Sequence, residues 1–169
     1  MIKLDKLSEK NFATCVDLYD TLDEVQKKHV APNVLSLAQA YLYQDIAWPR
    51  VIMNNKNVIG FLMLELNTKE IPEYNQPGHY LWRFMIGKPY QGKGYEKKAL
   101  QLVIEKCKKE GMKSLYVSCD MDTKMPYHFY IKNGFKDTGY DQEGERYLKL
   151  IFWFKYNELK KTEKNKIKV

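Results

Sequence analysis

Tyr80-Leu-Trp-Arg-Phe-Met-Ile86 runs into Gly87-Lys-Pro-Tyr-Gln-Gly-Lys-Gly-Tyr-Glu96, and the reading of this stretch decides the fold. Its first seven residues form an apolar and aromatic run of strand length. A glycine-rich turn follows, and then Leu100, Val103, Ile104 and Cys107 recur at helical spacing. Strand, loop and helix therefore succeed one another. At such a junction glycines let backbone N–H groups approach a ligand, and the helix start adds the positive end of its dipole. Lys93, Lys97 and Lys98 stand in or beside the turn and favour a phosphate-bearing ligand. The alternative is a plain structural turn, since Gly-x-Gly before a helix is common.

Gly87 to Gly94 also comes within one residue of the nucleotide-triphosphate loop, which needs Ser or Thr after its lysine. Gly94 has no hydroxyl for magnesium, and Pro89 lacks an N–H that phosphate oxygens would use. That reading is set aside.

Outward from this stretch, Ile2 and Leu4 alternate as a short first strand. Ser8 reads as the cap of a helix whose apolar stripe runs from Phe12 to Leu22, and a second helix starts near Asn33 or Ser36, with Trp48-Pro49 ending the region. Residues 51–53 and Val58 to Leu66 flank Asn54-Asn55-Lys56-Asn57 as a hairpin. The long helix stops at Gly111. Leu115, Val117 and Cys119 alternate on the next strand, and Pro126 opens a short helix that Asn133-Gly134 closes. Phe135 begins the final pairing, Gly139 to Gly144 reads as a loop, and Glu145 to Phe152 is the last strand. The order predicts an α/β protein, a mixed sheet with helices on both faces.

The chain has 169 residues, enough for one core. A hydrophobic content of 44% and an aromatic content of 14% exclude disorder. Residues 1–154 read as one domain and 155–169 as a lysine-rich tail, where six lysines face Glu158 and Glu163 and carry more than half of the formal charge of +7. Without that tail the chain is only mildly basic, so no specific nucleic-acid binding is expected. Cys15, Cys107 and Cys119 lie in apolar patterns without metal-ligand spacing and read as core thiols, and no metal is predicted from the three histidines. No apolar run approaches membrane-spanning length, and a cytoplasmic location is the expectation.

Gln91, Gly92, Lys93, Gly94 and Tyr95 resemble motif A of the GNAT superfamily of N-acetyltransferases, with Glu96 where the family has Gly or Ala. Residues 123–135 resemble its motif B through Tyr130, Gly134 and Phe135, with Thr123 in place of Asn and Pro126 in place of Ala. The resemblance implies a central, mostly antiparallel twisted sheet and acetyl-CoA as cosubstrate. It implies that the backbone of Met85 and Ile86 meets the acyl group, that residues 91–96 and Thr123 hold the cofactor, and that Tyr130 is the general acid. A tyrosine with pKa near ~10 suits a departing thiolate. Amines are mostly protonated at pH 7, so a base or water relay is required, and Glu65 is the candidate.

Residues 26–43 and 72–74 are similar to the bacterial spermine/spermidine acetyltransferase branch. A polyamine needs carboxylates and aromatic faces, which Glu24, Glu73, Tyr41 and Trp82 supply. Another amine acceptor, an antibiotic or a peptide amino terminus, is the nearest alternative. A CoA-binding module without turnover is the alternative from another class. A homodimer is also expected, with Trp153 and Phe154 offering apolar surface.

Overall fold

The computed structural model describes residues 1–68, 77–121 and 125–153. They form one seven-stranded sheet, ordered β1-β2-β3-β4-β5-β7-β6, from β1 (Ile2–Asp5), β2 (Ala47–Asn54), β3 (Asn57–Glu65), β4 (Gly78–Ile86), β5 (Ser114–Asp120), β6 (Lys136–Gln142) and β7 (Glu145–Ile151). Every neighbouring pair is antiparallel except β4 and β5. The helices are α1 (Phe12–Asp17), α2 (Glu24–His29), α3 (Asn33–Leu42), α4 (Tyr95–Lys109) and α5 (Met125–Lys132).

Strand alternation sorts the apolar residues into two cores, one on each face. On one face Ile52, Leu62, Leu64, Leu115 and Val117 pack with Leu100 and Val103 of α4 and Tyr130 of α5. On the other, Val51, Phe61, Met63 and Met85 pack with Cys15 of α1 and, from α3, Leu37 and Ala40. Because β3 lies between β2 and β4, every residue of it from Val58 to Glu65 is buried. The three cysteines are buried and unpaired, and burial pushes the thiols of Cys15 and Cys107 up to about 12 and that of Cys119 up to about 11.

The elements depart from the sequence reading in four places. The predicted first helix breaks: Asn11 rather than Ser8 stands at the start of α1, and the chain tightens into a 3-10 turn over Leu18–Thr21. A helix not foreseen, α2, then begins at a reciprocal cap, in which Gln26 N donates to Asp23 Oδ1 at 2.9 Å and Asp23 N donates to the Gln26 side chain. Trp48 and Pro49 lie inside β2. Pro49 is tolerated because β1 covers only Val51–Asn54, so on that side no strand needs the missing N–H. The expected loop at Gly139–Gly144 shrinks to Glu143-Gly144. Both residues have positive φ, while Gly139 (φ 75°) sits in an irregularity of β6.

The feature that shapes the site is the parting of β4 from β5. They pair only through Gly78↔Ser114, His79↔Leu115 and Tyr80↔Tyr116; beyond that β4 stays with β3 and β5 with β7. Gly78 stands at the root. A Cβ there would lie 2.5 Å from Tyr116 Cε2 and 2.7 Å from Ser114 O, so the strands close together only around a glycine. A bulge follows, since Leu81 faces Leu64 and Arg83 faces Met63, leaving Trp82 as the extra residue. Two consecutive side chains, Trp82 and Arg83, thereby turn to the α3 face, where Arg83 donates to Gln39 Oε1 at 3.2 Å.

Among the described residues no helix is long and apolar enough to cross a membrane. Phe152 is buried in the core, Trp153 is 87% exposed, and Phe154 with the tail at 155–169 lies outside the described residues.

Candidate active site

One end of the site is the loop into α4. Gly92 (φ 70°) and Gly94 (φ 74°) both take the left-handed conformation, and Gly94, at the helix start, has no side chain with which to cap it. The N–H groups of residues 92–97 consequently donate to nothing among the described residues, while Lys98 N reaches Gly94 O. A row of open amides at the positive end of a 15-residue helix suits an anion of several oxygens, such as a pyrophosphate. These residues fit the group that the sequence resemblance implied.

The motif side chains have other tasks. Gln91 is occupied: its Nε2 donates to Ile86 O at 2.8 Å and its Oε1 accepts from Gln26 Nε2 at 2.9 Å, so it ties the loop to the end of β4 and to α2. Lys93 Nζ donates to Pro89 O at 2.8 Å, and Lys88 pairs with Asp23 at 2.6 Å. Tyr95 accepts from Asn54 Nδ2 at 3.1 Å and anchors α4 to β2. Glu96, in the first turn of α4, is partly buried and makes no hydrogen bond or ion pair among the described residues. Its carboxylate lies at the favourable end of the dipole.

Gly87 N bonds to Ile59 O at 2.9 Å, and this fixes the alternation of β4. The N–H of Met85 turns toward β3, whereas those of Phe84 and Ile86 turn into the gap between the parted strands. Of the two backbone groups expected there, Ile86 faces the gap and Met85 does not. On the α5 side stands Tyr130, 6% exposed and packed between Phe129 at 5.3 Å and Phe135 at 5.2 Å. Its hydroxyl bonds to nothing among the described residues, and burial raises its pKa, so the phenol keeps its proton. Tyr80 and Cys119 are near enough to bear on its ionisation.

The opposite face holds a cavity of about 570 Å³. Glu65, 7% exposed, lies across the ladder from Tyr80, and both line this cavity with Trp82, Tyr43, Tyr147 and Glu143. Two predicted residues, Glu65 and Trp82, thus come together. Tyr41 does not join them: it is 74% exposed on α3, and Tyr43, whose ring meets Trp82 edge-on at 5.9 Å, takes that place. Glu24 begins α2 beside the α4 loop, pairs with Lys27 at 3.1 Å and does not line the cavity. Glu73 and Thr123 lie outside the described residues.

Sequence reading missed Tyr80, Tyr147 and Glu143 of the cavity lining, and the polar face of β5 beside it, where Ser118 stands opposite Tyr147. A signal existed, since the apolar set Leu115, Val117 and Cys119 leaves Tyr116, Ser118 and Asp120 for the other face.

The acetyltransferase (GNAT) family model matches residues 18–135. The chain belongs to the GNAT family. A curated relative, an uncharacterised N-acetyltransferase YycN of Bacillus subtilis, is 27% identical over 86 residues, and that match spans about half of each protein. Among solved structures, PaiA N-acetyltransferase from Thermoplasma acidophilum in complex with coenzyme A superposes with a TM-score of 0.66 at 17% identity, over 90% of this chain and 99% of that one. A chimera of the spermidine N-acetyltransferase SpeG from Vibrio cholerae gives 0.65 at 15%, over 89% of this chain and 94% of that one. At such identities these likenesses establish the GNAT fold alone.

Proposed function

We propose that this protein moves the acetyl group of acetyl-CoA to a primary amine, and that the amine is a polyamine such as spermidine or spermine. The observation that carries the acceptor is the cavity: Glu65 and Glu143 supply negative charge, Tyr43, Tyr80, Trp82 and Tyr147 supply aromatic faces, and among the described residues neither Lys nor Arg is in its lining. A flexible polycation is held by such a combination through charge and cation–π contact.

Acetyl-CoA brings an activated thioester whose carbonyl accepts the amine directly and whose thiolate leaves. The open amides of residues 92–97 bind its pyrophosphate. Ile86 N–H, aimed into the gap, donates to the acyl oxygen as charge develops there. Tyr130, protonated and without a hydrogen-bond partner among the described residues, gives its proton to the departing sulfur. Glu65 holds the ammonium beside Tyr80 and orients its nitrogen.

The test is release of CoA thiol with a panel of amines, together with calorimetric titration of acetyl-CoA. Turnover fastest with spermidine or spermine is the expected result; turnover with other amines but not these would overturn the polyamine assignment. A second reading, an acceptor carrying a carbonyl or carboxylate such as a peptide amino terminus, is favoured by Arg83. Its Nε is buried beside Trp82 and donates to nothing among the described residues.

A further inference from the structure

Three side chains from three strands meet on the α3 face of the sheet. Tyr80 of β4 and Ser118 of β5 are joined at 2.6 Å between their hydroxyl oxygens, and Ser118 Oγ donates in turn to Glu145 Oε2 of β7. The meeting follows from the parted strands. Below it, Tyr80 is level with Tyr116; two residues further along β5, Ser118 lies opposite Tyr147 of β7, whose ring stacks on that of Tyr80 at 6.2 Å.

The direction of the chain is set by its single protons. A serine hydroxyl has one proton, and Ser118 gives it to the carboxylate, so toward Tyr80 it accepts. Tyr80 therefore directs its own proton at Ser118, and the accepting capacity left on its oxygen faces the cavity and the hydroxyl of Tyr147, which also hydrogen-bonds to Tyr80. Tyr80 lines the acceptor cavity directly across the ladder from Glu65, where an ammonium would be held. At the other end Glu145 is exposed and exchanges protons with water. A chain that accepts inside the cavity and discharges outside it has the form of a proton exit.

We infer that Tyr80, Ser118 and Glu145 carry the proton of the acceptor ammonium from the cavity to solvent. The inference rests on the acetyl-transfer reading given above. One proton passes from the ammonium nitrogen to Tyr80 Oη as that of Tyr80 passes to Ser118 Oγ and that of Ser118 to the Glu145 carboxylate. A cation and an anion become a neutral amine and a neutral acid, and Glu145 then releases the proton to water. Tyr80 is the group that touches substrate; Ser118 and Glu145 act through it. Burial raises the pKa of Tyr80, so the phenol passes a proton without resting as phenolate. Among the described residues, the charged or titratable groups around the chain include Glu65 on β3, Arg83 on β4, Cys119 and Asp120 on β5, the latter paired with His29 of α2, Glu143 in the turn between β6 and β7, Tyr147 on β7 and Tyr130 on α5.

The experiment compares wild type, Ser118→Ala and Glu145→Gln by thiol release from pH 6 to 10, over an amine panel, with calorimetric titration of acetyl-CoA. Glu145→Gln changes an exposed position and keeps its shape, so it remains informative should Ser118→Ala fold poorly. Both variants are expected to lose roughly 10- to 100-fold in kcat at pH 7. They should recover to within about threefold of wild type near pH 10, where the amine, with pKa near ~10.4, loses its proton unaided. Their affinity for acetyl-CoA should be unchanged. Wild-type rates in both variants at pH 7, or a loss equally deep at every pH, would overturn the relay while leaving the acetyl-transfer reading intact. A wild type that turns over no amine in the panel would overturn that reading, and the relay with it.

Discussion

Tyr130→Phe separates chemistry from packing. The ring packs against Phe129 and Phe135, and a phenyl ring keeps both contacts. The hydroxyl bonds to nothing among the described residues, so its removal leaves no partner stranded. The expected stability change is then within about 1 kcal/mol, at or below the ~1–3 kcal/mol that stranding a buried partner costs. For a chain of this length that is a Tm within ~4 °C of wild type. Activity should behave otherwise. Loss of a general acid costs about 10²–10⁴ in rate, or roughly 2.7–5.4 kcal/mol in the barrier at 1.36 kcal/mol per decade. The assays are a thermal melt, calorimetric binding of acetyl-CoA, and thiol release with the best amine of the panel. A variant with wild-type kcat would refute the assignment. A variant whose Tm falls by more than ~8 °C would refute the claim that the hydroxyl is idle in the fold.

Other outcomes follow from the same geometry. Gly78→Ala forces a methyl to 2.5 Å from the buried Tyr116 ring and 2.7 Å from a backbone oxygen; overpacking of this kind costs ~1–3 kcal/mol, read as a Tm lower by ~2–12 °C. Gly94→Ala meets no atom within 4 Å, so its cost is that of a left-handed alanine alone, ~1–2 kcal/mol; a larger loss than Gly78→Ala in the same melt would contradict the steric argument. If the cavity holds the amine as proposed, Trp82→Ala should raise KM for the amine by roughly tenfold while the Kd of acetyl-CoA stays put, since its ring lines that cavity and not the α4 loop. The Asp137 carboxyl loses some solvation, yet the Gly139 N–H, the Tyr127 hydroxyl and Arg146 hold it below the ordinary carboxylate value. A depressed folded pKa gives stability that is present above pH ~4 and lost as pH falls through the folded value. Melts between pH 6 and 2 should therefore decline less steeply below pH 4 in Asp137→Asn than in wild type, and parallel curves would refute the claim.

The local parts of this protein were legible in its sequence because they rest on short-range rules. The order of strands up to β5 and the long helix followed from periodicity, though β6 did not, since much of it was read as loop; the open turn before α4 followed from Gly92 and Gly94, whose positive φ needs no neighbour to explain it. The cysteines' burial followed from the apolar patterns around them. Helix α2 was missed although Asp23 and Gln26 form a cap at the start of this six-residue element, because the preceding apolar stripe reads as one continuous helix. The split of that stripe depends on how Leu18 and Leu22 pack, which is a property of the folded core.

The site itself was decided by tertiary structure. Tyr80, Ser118 and Glu145 lie 38 and 27 residues apart, and no spacing rule links them. They meet because β7 inserts between β5 and β6 and because β4 leaves β5 after Tyr80. The bulge at Trp82 turns two adjacent side chains to one face, which simple alternation forbids. Sequence by itself determined the long helix, most of the strands and where backbone amides stand open, since those properties are set by a residue and its near neighbours. Which side chains share the cavity was left to the register between strands, because register joins distant residues and only the folded sheet fixes it.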